Sequence, residues 1–375
     1  MNNFDFQIAI VGAGVIGLAI AERLSHKYER IAVIERNERF GEETSSRNSE
    51  VIHSGIYYPT GSLKAQLCVK GRDMLYELCR AKNIPYLKCG KLIVATSEEE
   101  VSELHKLMHK ASENNVNDLK LLSQEEAHEK EPYIKAISAI HSPSTGIIDS
   151  HALMHYLFNE GIKRDVDYVF NTAVTGIEKI KHGYKITTQE KSHESFSFTS
   201  EMVINTAGLE SDKIANLVGI DDSSYKIHFC KGDYFHVAPP KNKLVRGLVY
   251  PVPFKKLVGL GVHATIDLAS GVRLGPNATY LSENVYDYKV DESKAEEFLI
   301  SARRFMPFLE KEDLQPDYSG IRPKIQAPGE PVKDFIIVNE SKRGYKNFIN
   351  LIGIESPGLT CSLAIAELVE EIILD

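Results

Sequence analysis

The sequence predicts an α/β protein, α+β overall, in which a parallel βαβ unit opens the fold and a strand-rich mixed sheet is inserted into it. Three observations carry this. Phe6 to Val11 is a short apolar run that gives way at once to Gly12, Gly14 and Gly17, then to Leu18, Ala19, Ala21 and Leu24 at helical spacing, then to a second apolar run, Ile31 to Ile34. From about 226 to 275, short strand-like runs alternate with Gly and Pro turns. After a Gly-rich loop, helical periodicity returns from Thr360 to Leu374.

The other elements follow in order. Residues 91–95 predict a strand, and 98–111 a charged helix with Val101, Leu104 and Leu107 on one face. An amphipathic helix follows Asp149. Strands are expected near 168–178, 184–188 and 196–206, with a hairpin across His182-Gly183. No internal repeat, low-complexity tract or linker interrupts the pattern.

Composition narrows the class. At 375 residues the chain exceeds one ordinary domain, and 43% hydrophobic with 26% charged residues is ordinary globular usage. The formal net charge of −8, without a basic patch, argues against a nucleic-acid partner. No leader pattern opens the chain and no apolar run is long enough to span a bilayer, so a cytoplasmic chain is expected. The five cysteines, Cys68, Cys79, Cys89, Cys230 and Cys361, form no CxxC pair and no metal spacing. They are expected to be small buried hydrophobes in a reducing compartment, and no metal is expected.

The glycines carry chemistry. In Ile8-Ala-Ile-Val-Gly12-Ala-Gly14-Val15-Ile16-Gly17 the spacing is GxGxxG, between a strand and a helix. The first glycine permits the tight turn, the second lets backbone approach a pyrophosphate, and the third seats helix on strand. The helix N-terminus then faces the phosphates. Glu35, followed by Arg36, ends the second strand roughly 20 residues on, where an acid accepts hydrogen bonds from a ribose and disfavours a 2′-phosphate. This Rossmann fingerprint alone leaves FAD and NAD both open.

The polar run Thr44-Ser45-Ser46-Arg47-Asn48-Ser49 resembles the segment that passes under the flavin in glutathione-reductase-like FAD proteins of the D-amino-acid oxidase and glycine oxidase superfamily. Its continuation, Asn48-Ser-Glu-Val-Ile-His53-Ser-Gly-Ile-Tyr57-Tyr58-Pro and Gly61-Ser-Leu-Lys64-Ala, is similar to L-2-hydroxyglutarate dehydrogenases and oxidases. Later segments agree in order: Cys89-Gly-Lys-Leu-Ile-Val, Asn205-Thr-Ala207-Gly208-Leu, Lys231-Gly-Asp-Tyr-Phe, Pro251-Val-Pro, Leu260-Gly-Val-His263, Arg273-Leu-Gly-Pro-Asn277, Gly320-Ile-Arg322-Pro-Lys324 and Ile354-Glu-Ser356-Pro-Gly358-Leu359-Thr360. One residue departs: the hydroxyglutarate group carries Gly where this chain has Glu50, an added carboxylate expected to bear on substrate choice.

The resemblance implies an FAD-binding domain over residues 1–85, 146–220 and 325–375, and a substrate domain over 86–145 and 221–324. It implies non-covalent FAD, with covalent attachment through a cysteine as the lesser alternative. The cofactor set it implies is the glycine fingerprint with Val15 and Ile16, Glu35 and Arg36, the run Thr44, Ser45, Arg47, Asn48 and Ser49, the backbone at Val174, Ala207 and Gly208, Arg322, and Ser356, Gly358, Leu359 and Thr360. The last four open a helix whose positive end would sit at the flavin pyrimidine.

Catalytic candidates follow. Oxidising an alcohol requires loss of the hydroxyl proton alongside hydride transfer to flavin N5, and the imidazole of His53 is suited to take it. His263 is a second candidate. Arg322 offers the planar fork that grips a carboxylate at two points. Tyr57, Tyr58, Lys64, Lys231 and Tyr250 are candidate donors to a second carboxylate. The expected reaction is oxidation of a small 2-hydroxy acid, L-2-hydroxyglutarate foremost, with quinone or oxygen taking the electrons and a peripheral contact with the inner face of a membrane. Alternatives are glycerol-3-phosphate oxidation, amine or amino-acid oxidation, and a flavin-binding module without turnover.

Overall fold

The computed structural model describes residues 4–253 and 261–374. Two large sheets and a three-stranded ribbon order them.

The first sheet grows from the βαβ unit. Ile8–Val11 and Ile31–Ile34 are buried throughout, as parallel strands covered on both faces must be. They pair in parallel with Ile8 opposite Ile31 and Val11 opposite Ile34. On the other side Phe6–Val11 runs parallel to the end of Ser195–Asn205, which in turn runs parallel to Phe348–Ile352. Helix Val15–Leu24 crosses between the first two strands with Leu18, Ala19, Ile20, Ala21 and Leu24 buried. It packs on the last helix, Gly358–Leu374, and on Ser150–Ile162. Asp149 caps the latter helix, accepting from the Ala152 N–H.

Two expectations need correction, and one element is additional. The strand placed near 168–178 is two strands. Asp167–Val169 runs parallel to Ile31–Ile34, and Thr172–Ile180 runs antiparallel to Gly183–Glu190. Asn171, at φ 55°, makes the break; asparagine tolerates that left-handed geometry better than most residues. The last helix begins at Gly358 rather than Thr360. A long helix, Leu63–Lys82, was not anticipated at all. Ser62 caps its start, accepting from Ala65 N–H at 3.1 Å, and Asn83 at φ 54° ends it. It lies against the last helix, where a Cβ on Gly71 would stand 2.3 Å from the Thr360 carbonyl oxygen.

The second sheet has nine strands and is mixed. Its central pair, Lys91–Ala95 and Leu248–Pro251, is parallel; its other pairings are antiparallel. The long strands His228–Val237 and Leu314–Lys324 pair along one side. The ribbon joins Val51–Ile52 and Tyr86–Leu87 to Gly146–Ile148. It sets the chain just before His53 between the two sheets' cores, since Ile52 belongs to one apolar cluster and Val51 to the other. All five cysteines are free thiols, four buried and Cys89 half-buried. No helix among the described residues is long and apolar enough to cross a membrane.

Candidate active site

A cavity of about 1190 Å³ opens between the sheets. That exceeds the ~300–1,000 Å³ of ordinary ligand pockets, as a site for a large cofactor plus a substrate requires.

The glycine turn forms one wall. Gly12 sits at φ 105°, and a Cβ there would lie 2.7 Å from the Thr206 carbonyl oxygen. Gly14, Val15 and Ile16 line the cavity; Gly17 does not, because it lies beneath the turn. A Cβ on Gly17 would stand 2.0 Å from the Gly12 carbonyl oxygen, so its part is helix-to-strand packing. Glu35 is buried and braces the turn: Oε2 accepts from Ala13 N–H at 2.8 Å and Oε1 from Asn37 N–H at 2.9 Å. Burial raises its carboxyl from the ordinary value, against those two hydrogen bonds. Each oxygen keeps a further lone pair for a ligand hydroxyl. Arg36 beside it pairs with Glu43 and Glu210 and lies over the Tyr286 ring.

Thr44, Ser45, Arg47, Asn48 and Ser49 also reach the cavity, as do Val174, Ala207 and Gly208. Ser45 Oγ accepts from Val15 N–H at 3.0 Å, filling one of the unpaired donors of the helix start. Gly208 is left-handed, at φ 52°, with open space where a side chain would be. On the opposite wall Ser356, Gly358, Leu359 and Thr360 present the start of the last helix. Open backbone, a buried acid and two helix N-termini are the donor set that a dinucleotide with anionic groups fits.

His53 is bolted in place by that helix. Its N–H donates to Thr360 Oγ1 at 3.0 Å, and Thr360 Oγ1 donates to the Val51 carbonyl at 3.2 Å. Its Nε2 lies 3.3 Å from Ser356 Oγ, while Nδ1 is buried with no partner among the described residues. Burial foremost, then the Lys91 ammonium and His263, push the imidazole down to about 3. His53 is therefore unprotonated at neutral pH. His263 stacks on Tyr250 with ring centroids 3.8 Å apart, and its Nδ1 donates to the Gly261 carbonyl at 2.8 Å. Because a carbonyl only accepts, Nδ1 carries the proton and Nε2 is bare. The hydroxyls of Tyr57 and Tyr250 are buried without partners among the described residues.

Arg322 lines the cavity and has no carboxylate within 4 Å among the described residues. Backbone carbonyls aim it: Nη2 donates to Lys231 at 3.2 Å and Asn277 at 2.5 Å, and Nε to Cys230 at 3.4 Å. Beside it Glu355 binds Lys324 at 2.8 Å and Lys64 at 3.2 Å, all three buried. Tyr58 also lines the cavity.

Lys231 and Arg273 stand outside it: Lys231 binds Asp287 at 2.8 Å, and Arg273 binds Asp317 at 2.6 Å. Leu260, within one of the family-like segments, lies outside the described residues. Glu50 lines the cavity and also holds the start of a helix. Its backbone is left-handed at φ 56°, and its carboxylate accepts from the Ser150 N–H and hydroxyl at 2.9 and 2.7 Å. Sequence reasoning did not single out Glu355, Lys324 or Lys91, although all three stand inside segments whose resemblance was legible.

The model of the DAO family, FAD dependent oxidoreductase, matches residues 7–372. The mitochondrial L-2-hydroxyglutarate dehydrogenase of Arabidopsis thaliana is 39% identical, covering 96% of this chain and 81% of its own length. That of Homo sapiens is 32% identical, covering 98% and 88%. Among solved structures, the FAD-bound, dithionite-reduced L-alpha-glycerophosphate oxidase of Mycoplasma pneumoniae superposes with a TM-score of 0.87 at 26% identity, over 98% of this chain and 94% of its own. With its glycine turn, buried acid and nearly full-length match, the chain belongs to the family of FAD-dependent oxidoreductases.

Proposed function

We propose that the protein oxidises L-2-hydroxyglutarate to 2-oxoglutarate. The carrying observation is Arg322, a guanidinium that lines the cavity with no carboxylate partner among the described residues, in the space that also holds the neutral imidazole of His53. Relatives at 39% and 32% identity bear the corresponding name and support the choice of acid.

In this reading residues 1–85, 146–220 and 325–375 hold FAD, and 86–145 and 221–324 shape the substrate side. FAD, when bound, supplies the hydride acceptor. Arg322 donates to the 2-carboxylate from Nη1, the nitrogen its backbone contacts leave free, and so orients the C2 hydrogen. His53 takes the hydroxyl proton at Nε2. The unpartnered hydroxyls of Tyr57 and Tyr250 donate to the distal carboxylate. The start of the last helix would favour negative charge on a cofactor held against it. Electrons leave to a quinone or to oxygen, the former at a peripheral membrane contact.

Glycerol 3-phosphate is the second reading, favoured by the likeness to the glycerophosphate oxidase. Against it, two buried lysines of the cavity wall, Lys64 and Lys324, are already paired with Glu355 and so are not free for a phosphate dianion. An anaerobic screen separates the readings. L-2-hydroxyglutarate should bleach the flavin faster than its D-enantiomer, amino acids or glycerol 3-phosphate; no bleaching by any 2-hydroxy acid overturns the proposal.

A further inference from the structure

Arg36 and Arg47 both line the cavity, Arg36 next to the buried acid Glu35 and Arg47 in the polar run after the second strand. Each is backed by a tyrosine that does not itself line the cavity. The Arg36 guanidinium lies 4.6 Å from the Tyr286 ring centroid, and its Nη2 also donates to the Tyr286 hydroxyl. The Arg47 guanidinium lies 4.2 Å from the Tyr288 ring centroid, and its Nε is buried with no hydrogen-bond partner among the described residues. The two tyrosines come from one short stretch fastened to the other sheet. Asp287, between them, binds Lys231 of strand His228–Val237 at 2.8 Å. The Tyr286 ring meets that of Phe229 edge-on at 5.3 Å, and Asn284 Nδ2 donates to the Ile227 carbonyl at 3.2 Å.

Charge gives this arrangement its purpose. Glu43 and Glu210 line the same cavity and both pair with Arg36. Unopposed carboxylates would repel an anionic dinucleotide, and Arg36 is the cation that offsets them. The Tyr286 hydroxyl donates to Glu210 and so ties that cation to one of its acids. Tyr286 is 39% exposed, so burial of its own ring does not account for its place. We propose that Tyr286 and Tyr288 are positioning residues for the cofactor, a strap from the nine-stranded sheet that fixes Arg36 and Arg47 at the cavity wall and slows the release of FAD. A guanidinium on a long flexible stem is held in plane by a ring beneath it, at a gain that grows as water is excluded. The inference concerns the retention of FAD and does not depend on which acid is oxidised.

The test is the rate at which free-flavin fluorescence rises after the FAD-loaded protein is diluted. Tyr286→Leu and Tyr288→Leu should each release FAD about five- to tenfold faster than the wild type, the worth of a partly desolvated cation–π contact. Tyr288→Phe keeps the ring and should release at the wild-type rate, because the Tyr288 hydroxyl has no partner among the described residues. The gap between the melting temperatures of FAD-loaded and FAD-free protein should narrow in both leucine variants. Arg36→Gln should quicken release by itself, a result that needs neither tyrosine replaced. Since Tyr286 acts through Arg36, adding Tyr286→Leu to Arg36→Gln should quicken it no further. Wild-type release from either leucine variant or from Arg36→Gln overturns the proposal, as does an additive effect in the double variant. Melting temperatures lowered equally with and without FAD would make the tyrosines packing residues and overturn it too.

Discussion

Replacing Glu355 by glutamine removes the carboxylate that, among the described residues, pairs with two buried lysines beside the last helix. Burial by itself raises the Glu355 carboxyl, but the Lys64 and Lys324 ammonium groups outweigh it and hold it down at about 2, against an ordinary 4.5. A depression of that size corresponds to about 3 kcal/mol of folding stability at ~1.4 kcal/mol per pH unit. The variant leaves two ammonium groups buried without a counter-charge, a change that typically costs roughly 3–5 kcal/mol. Both routes agree on a loss of about 3 kcal/mol at pH 7. Because the carboxyl is depressed in the fold, its stabilisation is complete above the ordinary value near 4.5 and is lost as pH falls through about 2. Urea unfolding of both proteins, followed from pH 7 down to pH 3, measures this directly. The wild type should be the more stable at neutral pH, and the gap should close progressively below about pH 4.5. Equal stability at pH 7, or a gap that does not change with pH, would refute the reasoning.

Three further outcomes concern the site. His53→Ala should keep FAD and slow its anaerobic reduction by about 10²–10⁴-fold, the usual worth of a positioned base; stopped-flow reduction at the wild-type rate removes His53 from the chemistry. Arg322→Lys keeps the charge but loses the fork, and a lysine cannot reproduce the Nε and Nη2 contacts to Cys230, Lys231 and Asn277. Substrate affinity should fall by about 2 kcal/mol or more while flavin content holds; an unchanged concentration dependence and rate would make Arg322 a structural residue. Acid precipitation should release all the yellow colour, because none of the cavity-lining positions is a cysteine; colour retained in the pellet would show a covalent link.

The βαβ unit and its fingerprint were legible because their signals are local. Four consecutive buried residues, a glycine at each point where a Cβ would strike backbone, and an acid at the end of the next strand all lie within thirty residues. The helix Leu63–Lys82 was equally local in principle, with a Ser62 cap and Leu67, Cys68, Gly71, Leu75, Tyr76 and Cys79 on its buried face. It was obscured because lysines, arginines and acids interleave those positions and pull the average hydropathy down. The contacts of Glu50 were hidden for another reason. Its charge is visible in sequence, but the direction of its side chain is set by a left-handed backbone and by Ser150, one hundred residues away.

Residue chemistry at short range therefore determined the dinucleotide fingerprint and the sheet that carries it, while the resemblance of longer segments pointed to FAD and made His53 and Arg322 candidates. Which charges remain unanswered was decided only by the tertiary structure. Lys64, Lys324 and Lys91 are all buried lysines in family-like segments, yet the fold brings Glu355 to the first two and tyrosine rings to the third. Lys231 and Arg322 lie one register position apart on paired strands, and one is spent on Asp287 while the other lines the cavity. A charge takes its function from its long-range partner in a medium of low dielectric, and partners that far apart in the chain meet only when the sheets close.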